Sequence, residues 1–140
     1  MAVLAPADAV LPDLDPIPVR AGQVFWAAGF RISAVGGLHA PVLPNQTPCA
    51  NLGYVVDDLL YHPGDYLHLP GVAVETLLVP LQASWLKTAE AVAFVRSVAP
   101  DRAIGIHDGQ VNERALDSPN YWLAEHTDTR HRWLAPGTTD

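Results

Sequence analysis

The sequence predicts an α/β domain built on a mixed sheet, and three observations carry that prediction. Two pairs of apolar runs are separated by two-residue turn signals, Ala28-Gly29 and Asp57-Asp58, as antiparallel hairpins are. A continuous apolar run, an amphipathic helical pattern and another apolar run then follow in succession, the order of a crossover within one sheet. Three of the expected strands have glycine close to their carboxyl ends and there deliver a potential metal ligand: His39, Asp65 and His107. Open α/β sheets usually build their sites at that end of the strands.

Taken in order, residues 1–22 are rich in Pro and Asp and read as an extended lead-in with a short strand near Val3-Leu4. Gln23 to Ala27 and Phe30 to Val35 form the first hairpin. Gly36-Gly37 frees the backbone before His39, and Pro41, Pro44 and Pro48 keep the next loop irregular, as a site rim would be. Leu52 to Val56 and Leu59 to His62 form the second hairpin, stopped by Pro63-Gly64 ahead of Asp65. Thr76 to Val79 is apolar throughout, which fits a strand covered on both faces. From Lys87 to Ala99 the period changes: Ala91, Phe94, Val95 and Val98 share one helical face, and Pro100 closes the helix. Arg102 to Ile106 is the next strand, Asn112 to Glu125 a helix with Pro119 inside it, and Arg130 to Leu134 a short final run.

The 140 residues bound a single domain, with 1–22 as lead-in and 23–136 as core. An apolar share of 49% is high for such a domain; a buried partner interface would account for it, and so would simple compactness. The net charge of −7, with Lys and Arg scattered, argues against nucleic acid, which needs a basic face, and against a polybasic membrane anchor. No apolar stretch is long enough to span a bilayer, and the N-terminus lacks the basic start of a signal peptide. Cys49 is the single cysteine, so no intrachain disulfide forms; the cytoplasm is the expected compartment.

Imidazole and carboxylate together suit zinc, iron and manganese. Each residue taken alone has an ordinary reading: a His at a strand end is usually a hydrogen-bonded loop residue, and Asp after Gly is common turn chemistry. His62 and His68 flank the acid in sequence; alternation points His62 away from a crevice-facing ligand, giving it a supporting or a surface role. Asp108 beside His107 is a second supporting candidate, although adjacent residues on an extended segment diverge and solvation is the stronger reading. Cys49 reads as a small filler, Trp85 as a core plug at the helix entry, and His126 and His131 as surface residues.

The series Ala34-Val35-Gly36-Gly37-Leu38-His39-Ala40, Asn51-Leu52-Gly53-Tyr54, His62-Pro63-Gly64-Asp65, Trp85-Leu86-Lys87 and Ile106-His107-Asp108-Gly109 resembles the metallo-β-lactamase-fold metallohydrolases, in particular a lactonase-like bacterial branch. The resemblance runs from about Val19 to Pro136. It implies half of an αββα sandwich, a mixed sheet with helices on one face. It also implies that His39 and His107 are metal-binding histidines and that Asp65 bridges two metals. The family's His-x-His-x-Asp-His loop is absent from these residues, and Tyr66 stands where Ser or Thr commonly follows the bridging aspartate.

What remains looks like the C-terminal half of the fold. The implied activity is metal-dependent hydrolysis of an ester, lactone, amide or phosphoester in a small-molecule substrate, with no catalytic residue beyond the metal ligands. Zinc is the expected cofactor, with manganese or iron as alternatives. It would be weakly held, because each ion would have two protein ligands where catalytic zinc usually has three. The expected partner is a missing N-terminal half or a second copy in a homo-oligomer covering the exposed sheet face. The competing expectations are a non-catalytic remnant acting as an interaction or binding domain, and a mononuclear iron site of two His and one carboxylate.

Overall fold

In a computed structural model, residues 2–139 are described; Met1 and Asp140, the two ends of the expected domain, lie outside the described residues. Among the described residues, nine strands and two helices follow one another: β1 (Leu4–Pro6), β2 (Ile17–Val19), β3 (Val24–Ala27), β4 (Phe30–Leu38), β5 (Ala50–Val56), β6 (Leu60–His62), β7 (Thr76–Pro80), α1 (Thr88–Val98), β8 (Arg102–Ile106), α2 (Glu113–His126) and β9 (Arg130–Trp133). Strands β3 to β9 form one sheet in sequence order. The first four are antiparallel neighbours, and β6 to β9 run parallel, so the sheet is mixed as expected.

Both hairpins turn through left-handed backbone. Ala28 and Gly29 have φ of 50° and 88°, and Asp57 and Asp58 have φ of 51° and 57°, the pattern of tight turns that match strand twist. At the second turn the Asp57 carboxylate accepts the Arg31 N–H at 2.8 Å, and Asp58 pairs with the Arg31 guanidinium at 2.9 Å.

Helix α1 starts at Lys87, where the Glu90 carboxylate reaches back to accept the Lys87 N–H at 3.0 Å. It ends at Ala99, which takes a left-handed φ of 50° and donates its N–H to Val95. Asn112 caps α2 by accepting the Ala115 N–H at 3.1 Å.

Alternation along the strands sorts the two faces of the sheet. Val55, Tyr61, Leu77, Val79 and Ala103 point to the face covered by Ala91, Phe94 and Val95 of α1 and by Leu116 and Leu123 of α2. Both helices thus lie on one face. On the other, Ala34 and Leu52 meet Val19 of the β1–β2 ribbon, into which the lead-in folds. Leu78, Ile104 and Ile106, also on this second face, stay part-exposed.

Because β4, β6 and β8 run the same way, their carboxyl ends share one rim. The sheet continues further toward that rim than local sequence suggests. Strand β4 passes through Gly36, Gly37 and Leu38 because they pair with Leu52, Asn51 and Ala50.

Candidate metal centre

Each side chain at the rim is set by the backbone that carries it. His39 directly follows β4, and its N–H bonds to the Cys49 carbonyl at 2.9 Å. Its ring Nδ1 meets the Ala40 carbonyl. A carbonyl can only accept, so Nδ1 carries the proton, and in the neutral ring Nε2 presents its lone pair.

The Ala40 N–H in turn donates to the Asp65 carbonyl at 2.9 Å, stitching the two loops together. Asp65 is held from a second side: its N–H donates to Asn51 Oδ1 at 2.9 Å, while Asn51 Nδ2 reaches the Pro63 carbonyl at 3.4 Å. Gly64 between them has φ of 68°, and a Cβ there would collide with the Asn51 amide. His107 closes β8 with a left-handed φ of 59°, an uncommon conformation for a side chain of its size.

The structure brings these three residues together. Asp65 Oδ2 lies 3.6 Å from His39 Nε2, and Asp65 Oδ1 lies 3.1 Å from His107 Nε2. The carboxylate therefore stands between two imidazoles, with one oxygen toward each. Among the described residues, no three His, Cys, Asp or Glu side chains converge on one point that could hold an ion. The donors are arranged as two pairs that share the aspartate.

The spacing can be compared with metal geometry. Two ligand atoms each about 2.1 Å from a tetrahedral zinc lie about 3.4 Å apart. The 3.6 Å between His39 Nε2 and Asp65 Oδ2 is close to that, and too long for a direct hydrogen bond. The 3.1 Å between His107 Nε2 and Asp65 Oδ1, by contrast, is a direct hydrogen-bond distance.

The two supporting candidates take different roles. His62 lies on the sheet face away from the helices, and its Nδ1 accepts the Gly64 N–H at 3.0 Å. Burial lowers its pKa below the ordinary 6.5; the Asp65 carboxylate opposes that shift and His107 adds to it, so the ring lies near both. Asp108 turns to Trp133, accepting the indole N–H at 2.6 Å and tying the loop after β8 to β9.

Sequence reasoning missed several features. Asn51 was visible only as part of a motif, and its hold on Asp65 spans 14 residues. Trp85 is part-exposed and presents an edge to the His39 ring, with centroids 6.2 Å apart, so it does not plug the core. Cys49 is exposed at the rim of a cavity beside His39. His131 is part-buried, with Nε2 2.7 Å from Asn120 Oδ1.

No family model matches the chain. Protein Rv0786c of Mycobacterium tuberculosis is 41% identical over 98 residues, covering 66% of this chain and 46% of that protein, so the chain spans less than half the length of this curated relative. Among solved structures, the metallo hydrolase Igni18 from the archaeon Ignicoccus hospitalis superposes with a TM-score of 0.67 at 16% identity, covering 91% of this chain and 61% of that one. The metallo-β-lactamase fold protein YhfI from Bacillus subtilis does so with a TM-score of 0.61 at 11% identity, covering 89% and 53%. At such identities the likeness speaks of architecture alone. With its mixed seven-stranded sheet and two helices, this chain has a metallo-β-lactamase-like α/β fold.

Proposed function

We propose that His39, Asp65 and His107 are this chain's contribution to a two-ion centre of a metal-dependent hydrolase, with Asp65 placed between the ions. The observation that carries the reading is the facing pair of His39 Nε2 and Asp65 Oδ2. With Nδ1 committed to the Ala40 carbonyl, a neutral His39 sets a lone pair against a carboxylate oxygen across 3.6 Å. Two acceptors face each other there, and a cation between them removes the conflict.

When bound, such ions supply a hydroxide near neutral pH and polarise the scissile carbonyl or phosphoryl oxygen. The chain's own residues orient the donors. Ala40 fixes the His39 tautomer, Asn51 and the Ala40 N–H hold the Asp65 backbone, and the β8 end aims His107. With two donors per ion, the remaining ligands come from elsewhere: an N-terminal half or a second copy. The part-exposed Leu78, Ile104 and Ile106 offer the surface for that partner.

Zinc is the ion best suited to this nitrogen and oxygen set. Zinc titration of the purified chain, with molar mass followed by light scattering, tests the proposal. Zinc should bind to the native chain and be lost in both His39→Ala and His107→Ala. Equal zinc uptake by native and doubly substituted chains would sink it. The sparse donor set also favours a second reading, a binding domain that performs no chemistry. Its signature is stability that does not respond to excess zinc.

A further inference from the structure

A cavity of about 400 Å³ opens directly beside the metal-binding candidates, between the loop from Leu38 to Cys49 and the rings of Tyr66 and His68. His39 lines it too, so the cavity reaches the donor cluster through that residue. The walls are largely apolar: Leu38, Pro41 and Pro48 stand on one side, and the faces of the Tyr66–His68 ring pair, with centroids 4.2 Å apart, on the other. Among the described residues, no Lys, Arg, Asp or Glu side chain lines it. The Gln46 side-chain Oε1 is already committed, accepting the Val42 N–H at 2.8 Å and ordering the loop.

The ring wall is built in. The His68 carbonyl receives the Tyr61 hydroxyl at 2.8 Å from the protein core, and the His68 ring lies so close to Gly36 that a Cβ there would be 2.6 Å from its Cδ2. Such a wall needs little reorganisation when a ligand arrives. The volume falls within the usual range for small-molecule pockets, and a largely apolar lining is usual for them as well.

Resting on the hydrolase reading above, we propose that this cavity holds the apolar acyl portion of an uncharged ester, with its carbonyl presented to the His39–Asp65–His107 cluster. A phosphorylated substrate suits it less, because no Lys or Arg side chain among the described residues lines the walls and the chain carries a net charge of −7.

The test uses the full chain without added metal, so that pocket binding is read separately from ion binding. Methyl butyrate, methyl hexanoate and methyl octanoate are titrated while amide resonances are followed by NMR, with inorganic phosphate as the charged comparison. Affinity should rise about fourfold for each methylene buried. The perturbed amides should include Leu38, Cys49, Tyr66 and His68, and bound ester should slow alkylation of Cys49 by iodoacetamide. Leu38→Asn changes a side chain that is already 52% exposed, so the fold should tolerate it. It should weaken methyl octanoate about fivefold and leave the zinc titration unchanged.

Affinity that ignores acyl length, or phosphate shifting the same amides, overturns the proposal. Esters that bind as expected to a chain that takes up no zinc would leave the pocket standing and remove the metal reading. Zinc uptake without ester binding would do the reverse.

Discussion

Replacing Asn51 with Ala should weaken both the fold and the candidate ion site, through the loop that carries Asp65. In the native chain Asn51 Oδ1 accepts the Asp65 N–H at 2.9 Å, and Nδ2 reaches the Pro63 carbonyl at 3.4 Å. The first bond has good geometry and the second is at the outer limit. Truncation leaves one good donor and one weakly engaged acceptor without partners. The Asp65 segment is part-exposed, so water recovers some of the loss. The expected cost is about 1–2 kcal/mol, set mainly by the orphaned Asp65 N–H.

The same change releases the backbone behind the Asp65 carboxylate. Removing an outer partner of this kind typically costs about 10- to 100-fold in metal affinity. Urea unfolding followed by tryptophan fluorescence reads the first effect, and zinc competition with a chromophoric chelator reads the second. Asn51→Asp separates them: it keeps an acceptor for the Asp65 N–H, so zinc affinity should be largely retained while stability falls with the lost donor. If Asn51→Ala leaves both the unfolding midpoint and the zinc affinity unchanged, the claim that Asn51 positions Asp65 is wrong.

Three further changes test other parts of the structure. Gly36→Ala places a Cβ against the His68 ring at a φ of 85°, and should cost about 1–3 kcal/mol, read as a lowered urea midpoint. Ala99→Gly relieves a left-handed φ of 50° at the end of α1 and should raise the thermal midpoint, gaining about 0.5–1 kcal/mol; an unchanged or lower midpoint would count against the αL cap. Burial lowers the pKa of both His131 and His62 below 6.5. The unfolded chain therefore takes up protons first, so stability is full above 6.5 and declines as pH falls through 6.5 toward the depressed folded values. Unfolding midpoints at about pH 7.5 and about pH 5.5 should differ in that direction, and His131→Gln should shrink the difference.

The parts of the fold written in local patterns were legible in the sequence. The turns at Ala28-Gly29 and Asp57-Asp58, the apolar face of α1 and the extent of β8 each depend on residues close in the chain, and each was found where expected. What depended on distant partners was not legible. The end of β4 reads as a glycine-loosened loop until β5 pairs with it at Gly36, Gly37 and Leu38. The lead-in shows no strong period, yet Val19 is buried because Ala34 and Leu52 offer it a surface.

At the site, strand ends and glycines pointed to His39, Asp65 and His107, and those side chains do meet. The tautomer fixed by Ala40 and the Asn51 brace were invisible, since each is a matter of which atom faces which. Asp108 shows the same limit. Its sequence neighbour is His107, but its hydrogen-bond partner is Trp133, 25 residues on.

The order of the strands bears on how this protein is made. From β3 to β9 every strand lies beside the one synthesised just before it, so the sheet can grow at a single advancing edge as the chain leaves the ribosome, without waiting for a distant segment to return. Two of the three rim groups are in place once residue 65 has emerged, and the third arrives only with β8. A nascent chain halted before residue 107 would carry Asp65 with the His39 ring facing one of its oxygens and the place of His107 still empty.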